Sequence, residues 1–222
     1  MESIKKKLYV LVTGGAGGIG SEVCKNLKVL GFQPIIIYNK NKIQAELLAQ
    51  QLNTFSVQMN MIENSSIDRG IKKIEKIIDI KEDQIIGLIL GASPPPDLMP
   101  LSRIETSSML NQFSINVLGS HYLTSILIRK FFKKSKSGII IGILTAAIGD
   151  KKSLPISGMG SYVIAKSALK AMLQAFKAEH PWLNIKTTSP SFTDTPMLDV
   201  FDKRYLELIT KDTPIESPKT IA

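Results

Sequence analysis

Residues 84–92 read QIIGLILGA, and after the first glutamine no polar side chain interrupts the run. A strand with one wet face alternates apolar and polar residues, whereas an unbroken apolar strand is covered on both faces. The run is also far too short to cross a bilayer as a helix. It therefore belongs inside a sheet with helices above and below. Other strand-length stretches lie at 7–13, 33–39, 54–60, 137–145 and 183–189. Helical stretches separate them at 18–31, 42–53, 66–80, 106–132 and 162–179, and Gly, Ser and Lys make 146–159 a loop. In 66–80, Ile67, Ile71, Ile74, Ile77 and Ile78 recur at helical spacing; in 42–53, Ile43, Leu47 and Leu48 share a side. This alternation predicts an α/β chain, a single domain over 1–222 built on one doubly wound parallel sheet with helices on both faces. Right-handed crossovers then place ligands at the carboxyl ends of the strands.

The charge balance is +9 over 222 residues. Its lysines are scattered, with small clusters at Lys5–Lys7, Lys72–Lys73 and Lys133–Lys136, and no basic stripe is interleaved with aromatics. That pattern describes a solvated surface, so no nucleic-acid partner is expected. The N-terminal lysines precede only LYVLV before the glycines begin, too little for a signal peptide, and a cytoplasmic protein without a membrane partner is expected. Cys24 stands alone, so no disulfide forms, and its place on the first helix predicts a buried structural thiol. His121 and His180 lie far apart without acidic partners, and no metal site is expected.

Chemistry concentrates in four short motifs. The first is TGGAGGIG at 13–20, where Gly14, Gly18 and Gly20 join a strand to a helix. Glycines there permit a tight turn and let a pyrophosphate approach backbone N–H groups at a helix N-terminus. The second is Tyr162 and Lys166, four apart and so on one helix face. The third is INVLGSHYLT, carrying Asn116, Gly119 and Thr124, and the fourth SPSFTDTPM, carrying Pro190, Thr195 and Met197.

With these motifs in this order over nearly its whole length, the chain resembles the short-chain dehydrogenase/reductase family. The resemblance implies an oxidoreductase that passes a hydride between a nicotinamide cofactor and a small carbonyl or alcohol substrate. Tyr162 would move the proton, while Lys166 would hold the nicotinamide ribose and, with Asn116, support a proton-relay water. Free tyrosine titrates near ~10, and a neighbouring ammonium favours the phenolate. The family's serine corresponds to Thr145, counting forward along the strand, or to Ala146, counting back from Gly149; Thr145 is favoured for its hydroxyl. Ser157 is a further hydroxyl nearby. Cofactor contacts are implied at Gly14, Gly18, Ile19, Gly20, Asn39, Lys40, Asn60, Met61, Ala92, Tyr162, Lys166 and Thr195.

Where the family has Asn-Asn-Ala-Gly, this chain has LGAS at 90–93, which removes an asparagine that ties neighbouring strands. Ser191 replaces a glycine, and the interval from Thr145 to Tyr162 is several residues longer. No acid ends the second strand; Tyr38 and Asn39 are followed by Lys40 and Lys42, which favours NADP(H) over NAD(H). The C-terminal strand of the family is expected to be missing, with LDVFDKRYLELIT serving as a lid. A homodimer or homotetramer is implied through the helices bearing Asn116 and Tyr162. A non-catalytic dinucleotide-binding regulatory or scaffold protein is the alternative on this fold.

Overall fold

The computed structural model describes residues 6–79, 82–211 and 214–222. Lys5 of the first basic cluster and Ile80, the expected end of the third helix, lie outside the described residues. Six parallel strands form one sheet in the order β3-β2-β1-β4-β5-β6. They are β1 (Leu8–Thr13), β2 (Gln33–Tyr38), β3 (Phe55–Gln58), β4 (Gln84–Leu90), β5 (Ile139–Ile143) and β6 (Asn184–Thr188). Between them run α1 (Gly18–Val29), α2 (Lys42–Gln51) and α3 (Asn64–Ile77). The segment after β4 holds α4 (Thr106–Phe113) and α5 (Ser120–Leu127), and α6 (Gly160–Glu179) precedes β6. Two short helices follow β6, α7 (Lys203–Ile209) and α8 (Pro218–Ile221).

The unbroken apolar strands are covered on both faces. Along β1, Tyr9 and Leu11 enter one apolar cluster with Ile67, Ile71, Leu123 and Leu173, from α3, α5 and α6. Val10 and Val12 enter the opposite cluster with Cys24, Ala45 and Leu48, from α1 and α2. Successive side chains of a strand point to opposite faces, so apolar residues at every position commit the chain to two helical layers. Cys24 is fully buried, as its place on α1 predicted, and burial pushes its thiol up to about 12.

The expected face of α2 is corrected by the structure. Ile43 and Leu47 are 74% and 60% exposed, and the helix buries Ala45, Leu48 and Ala49 instead. This face also has i, i+3, i+4 spacing; small alanines let the helix lie close to the sheet.

The long helix expected over 106–132 is present with a modulation. Between α4 and α5 the backbone widens into a π-helical stretch, Ser114–Gly119, and a second one follows at Ile128–Phe132. The junction residues keep right-handed helical angles, so direction is maintained while the register of side chains shifts.

β6 forms the outer edge of the sheet, and Lys186 and Thr187 on it are exposed. Among the described residues no seventh strand follows. The chain turns back instead: Asp194 N–H donates to the Glu216 carbonyl (2.9 Å) and Glu216 N–H to that of Phe192 (2.8 Å). α8 then packs against α1.

Candidate active site

The strand order reverses between β1 and β4, and the carboxyl ends of those two strands open a crevice. Gly14 turns the chain there with φ of 69°, a conformation that favours glycine. A Cβ on Gly14 would lie 3.0 Å from the Ala92 nitrogen, and one on Gly20 would overlap the Gly14 carbonyl. One on Gly18 would overlap the Thr195 side chain, so the fourth motif lies directly over the first. α1 opens without a side-chain cap, which leaves its first N–H groups without a local acceptor.

The strand tie missing from LGAS is supplied from β1. The Thr13 hydroxyl donates to the Ile89 carbonyl (3.2 Å) and accepts from the N–H groups of Gly91 (3.0 Å) and Ala92 (3.2 Å). At the end of β2, Asn39 and Lys40 are exposed, and Gln58 donates to the Asn39 carbonyl (2.9 Å). Lys42 faces Glu46 at 3.7 Å on the open surface. At the end of β3 the Asn60 side chain shapes its own turn, accepting from Ile62 N–H (3.2 Å) and donating to Glu63 (2.8 Å). Met61 is buried, with its carbonyl pressed against Gly119 of the π-helical stretch.

Ile19, Thr145, Tyr162, Lys166 and Thr195 line one cavity of about 150 Å³ beside this crevice. Tyr162 is 6% exposed and Lys166 2% exposed. Their four-residue spacing does bring them together: the ammonium nitrogen lies 5.7 Å from the phenol ring centre. It donates to the Ile143 carbonyl at the end of β5 (2.9 Å). Burial without an acidic partner pushes the Lys166 ammonium down to about 7. Burial also pushes the Tyr162 phenol up to about 12, while its hydrogen bond with Thr145 pulls the other way. The expected lowering of the phenol by Lys166 is therefore not what the protein alone produces. Desolvation outweighs the other influences and keeps the phenol protonated.

Between the two candidates at the end of β5, it is the Thr145 side chain that meets the phenol; it also accepts from Ala147 N–H (3.1 Å). Ala146 lines the cavity and its N–H donates to the Pro190 carbonyl (2.8 Å). Ser157 is exposed and outside the cavity lining.

Asn116 is fully buried in the π-helical stretch, which packs against α6. Its amide nitrogen donates to the carbonyl and the side-chain oxygen of Gln112, both at 3.1 Å. Its side-chain oxygen is buried with no hydrogen-bond partner among the described residues. Gln112 in turn donates to the Pro95 carbonyl (2.8 Å), which fixes the proline loop. Asp97 in that loop accepts from Ser161 (3.0 Å), the residue before Tyr162. Thr13, Gln112 and Asp97 are the supporting residues that sequence reasoning missed. The spacing of Gln112 four residues before Asn116, on one helix face, was the available signal for one of them.

A family model described as short chain dehydrogenase matches residues 8–205. An uncharacterized oxidoreductase of Escherichia coli, YbbO, is 26% identical over 211 residues, covering 94% of this chain and 72% of its own. A 3-ketoacyl-(acyl-carrier-protein) reductase from Brucella melitensis, solved with NADH, superposes with a TM-score of 0.83 at 17% identity, over 98% of this chain and 88% of its own. A gluconate 5-dehydrogenase from Burkholderia cenocepacia, in complex with NADP and tartrate, gives a TM-score of 0.83 at 18% identity, over 97% and 85%.

Proposed function

The chain belongs to the short-chain dehydrogenase family, and on that premise we propose that it interconverts a carbonyl compound and its alcohol using a nicotinamide dinucleotide. One observation carries this reading: Thr145, Tyr162 and Lys166 meet around a single cavity at the carboxyl ends of the strands.

The residues present suit such a cofactor. Gly18 and Gly20 stand where a Cβ would collide, α1 presents uncapped N–H groups, and the buried oxygen of Asn116 is without a partner among the described residues. Gly14, Gly18, Ile19 and Gly20 would hold the pyrophosphate, Asn60, Met61 and Ala92 the adenosine, and Thr195 the nicotinamide end. When bound, the cofactor supplies or takes the hydride.

The protein's own residues handle the proton and the geometry. At neutral pH the Tyr162 phenol keeps its proton, as a donor to a carbonyl oxygen must. The Thr145 hydroxyl, beside the same phenol, orients that oxygen. Lys166, anchored on the Ile143 carbonyl, holds the ribose, and with Asn116 it supports the water that restores the phenol's proton. Replacing Tyr162 by Phe keeps the ring and removes the proton donor. Turnover should fall by ~10²-fold or more, with NADPH affinity by calorimetry nearly unchanged. An unaltered rate would remove Tyr162 from the proton step, and a parent protein that binds NADPH without turnover would leave a dinucleotide-binding regulatory or scaffold protein.

NADP(H) is the preferred partner in this reading. Exposed Lys40 stands beside Asn39 at the end of β2, where a 2′-phosphate needs a cation and an acid would repel it. NADPH should bind more tightly than NADH, and Lys40→Ala should narrow the gap by weakening NADPH. Equal affinities in the parent protein would reverse the assignment.

A further inference from the structure

The cavity beside Tyr162 has a largely apolar wall. Tyr162 belongs to a third apolar cluster with Ala147, Met159, Val163 and Phe201, against which Ile156, Phe192 and Leu198 pack. Apart from Val163, these same residues line the cavity. The segment after β6 supplies a rigid part of the wall. Phe192 and Phe201 meet edge to face, 5.6 Å between centres and 85° between planes. Phe201 then stacks on Tyr205 at 6.0 Å.

Two hydroxyls that line the cavity are already bonded to backbone, while those of Ser191 and Thr195 stand nearer the cofactor motif. Thr193 donates to the Ser191 carbonyl (3.0 Å) and Ser93 to that of Pro94 (3.1 Å). Among the described residues lining the cavity, Lys166 is the one charged side chain, and it is bonded to Ile143. A polyol entering here would give up hydrogen bonds to water and find few replacements along the apolar wall. A carboxylate or a phosphate would find no cation free to receive it.

We propose that the substrate is a small, uncharged, apolar ketone or aldehyde, rather than a sugar or an acyl-carrier thioester. This rests on the hydride-transfer reading above. The carbonyl carbon gains a hydride from the reduced dinucleotide, which is oxidised; the carbonyl oxygen gains the Tyr162 proton, and a solvent proton restores the phenol. The product is the corresponding alcohol.

The test compares NADPH consumption with acetophenone, fructose and the N-acetylcysteamine thioester of acetoacetate. Acetophenone should show a kcat/KM at least ~10²-fold above the other two. An equal or higher value for fructose or the thioester overturns the proposed substrate class and leaves hydride transfer standing. No consumption with any of the three, by protein that binds NADPH in calorimetry, refutes the catalytic reading and this one with it. Two variants probe the wall itself, Phe192→Leu, which removes the ring but keeps its apolar character, and Leu198→Asn on the half-buried turn. Each should lower kcat/KM for acetophenone about tenfold through KM, with NADPH affinity held. An unmoved acetophenone KM in both overturns the proposal.

Discussion

Lys166 is 2% exposed, and its ammonium donates to a backbone carbonyl and faces the Tyr162 ring without meeting a carboxylate among the described residues. Removing it from water disfavours the charged form, which is why burial pulls it from 10.5 to about 7. The unfolded chain then binds more protons than the folded one between about pH 7 and 10.5, so stability rises with pH through that window. Below pH 7 the full cost of the buried charge is felt. Lys166→Met removes it, and the variant should gain on the parent by roughly 2–3 kcal/mol more at pH 6 than at pH 9. Chemical denaturation of both proteins at the two pH values measures this. Parallel pH dependences would mean that the folded lysine keeps its ordinary pKa. At this scale the meeting of Tyr162 and Lys166 was legible because the two are local in sequence. Their supports were not. Thr13 reaches Gly91 and Ala92, and Asp97 reaches Ser161, through contacts that only the folded chain creates.

Among the elements, the widened helical turn at Ser114–Gly119 does the most to place the site. It lets Asn116 sit fully buried against α6 while Gly119 presses on the end of β3. A Cβ at Gly119 would overlap the Met61 carbonyl oxygen and lie 2.9 Å from the carbonyl carbon. Both are backbone atoms, so a neighbour cannot yield by changing rotamer. Gly119→Ala should therefore cost about 1–3 kcal/mol in denaturant unfolding and weaken cofactor binding at the adenosine end. A variant as stable as the parent would show that the helix and the β3 turn separate freely. Existence and order of the elements were legible because apolar strands and helical periods are long signals. The π-helical turns were not, since propensity does not distinguish them from ordinary helix. On α2 the large Ile43 and Leu47 outweighed the alanines that pack. Contact with the sheet there is set by closeness of approach rather than by side-chain size.

For the molecule as a whole, the outer face of α4 and the following turn is the surface to test. Leu110 and Leu118 are each 61% exposed, and Ile62 beside Leu118 is 50% exposed around a shallow depression with Tyr122. Fully burying a leucine contributes about 1.5–3 kcal/mol. In a two-fold pair every contact occurs twice, so two such residues on each copy matter more than their number suggests. The family resemblance implies pairing through the helices bearing Asn116 and Tyr162, next to which this surface lies, and we propose a homodimer at micromolar concentration as the state in sedimentation. Leu118→Glu puts a carboxylate into both copies of the contact at once, where it would be buried without a cation. The variant should sediment as a monomer while its circular dichroism and NADPH affinity stay those of the parent. A monomeric parent would exclude the dimer. A variant that remains dimeric would move the contact to another face, and the exposed edge of β6 would be the next to change.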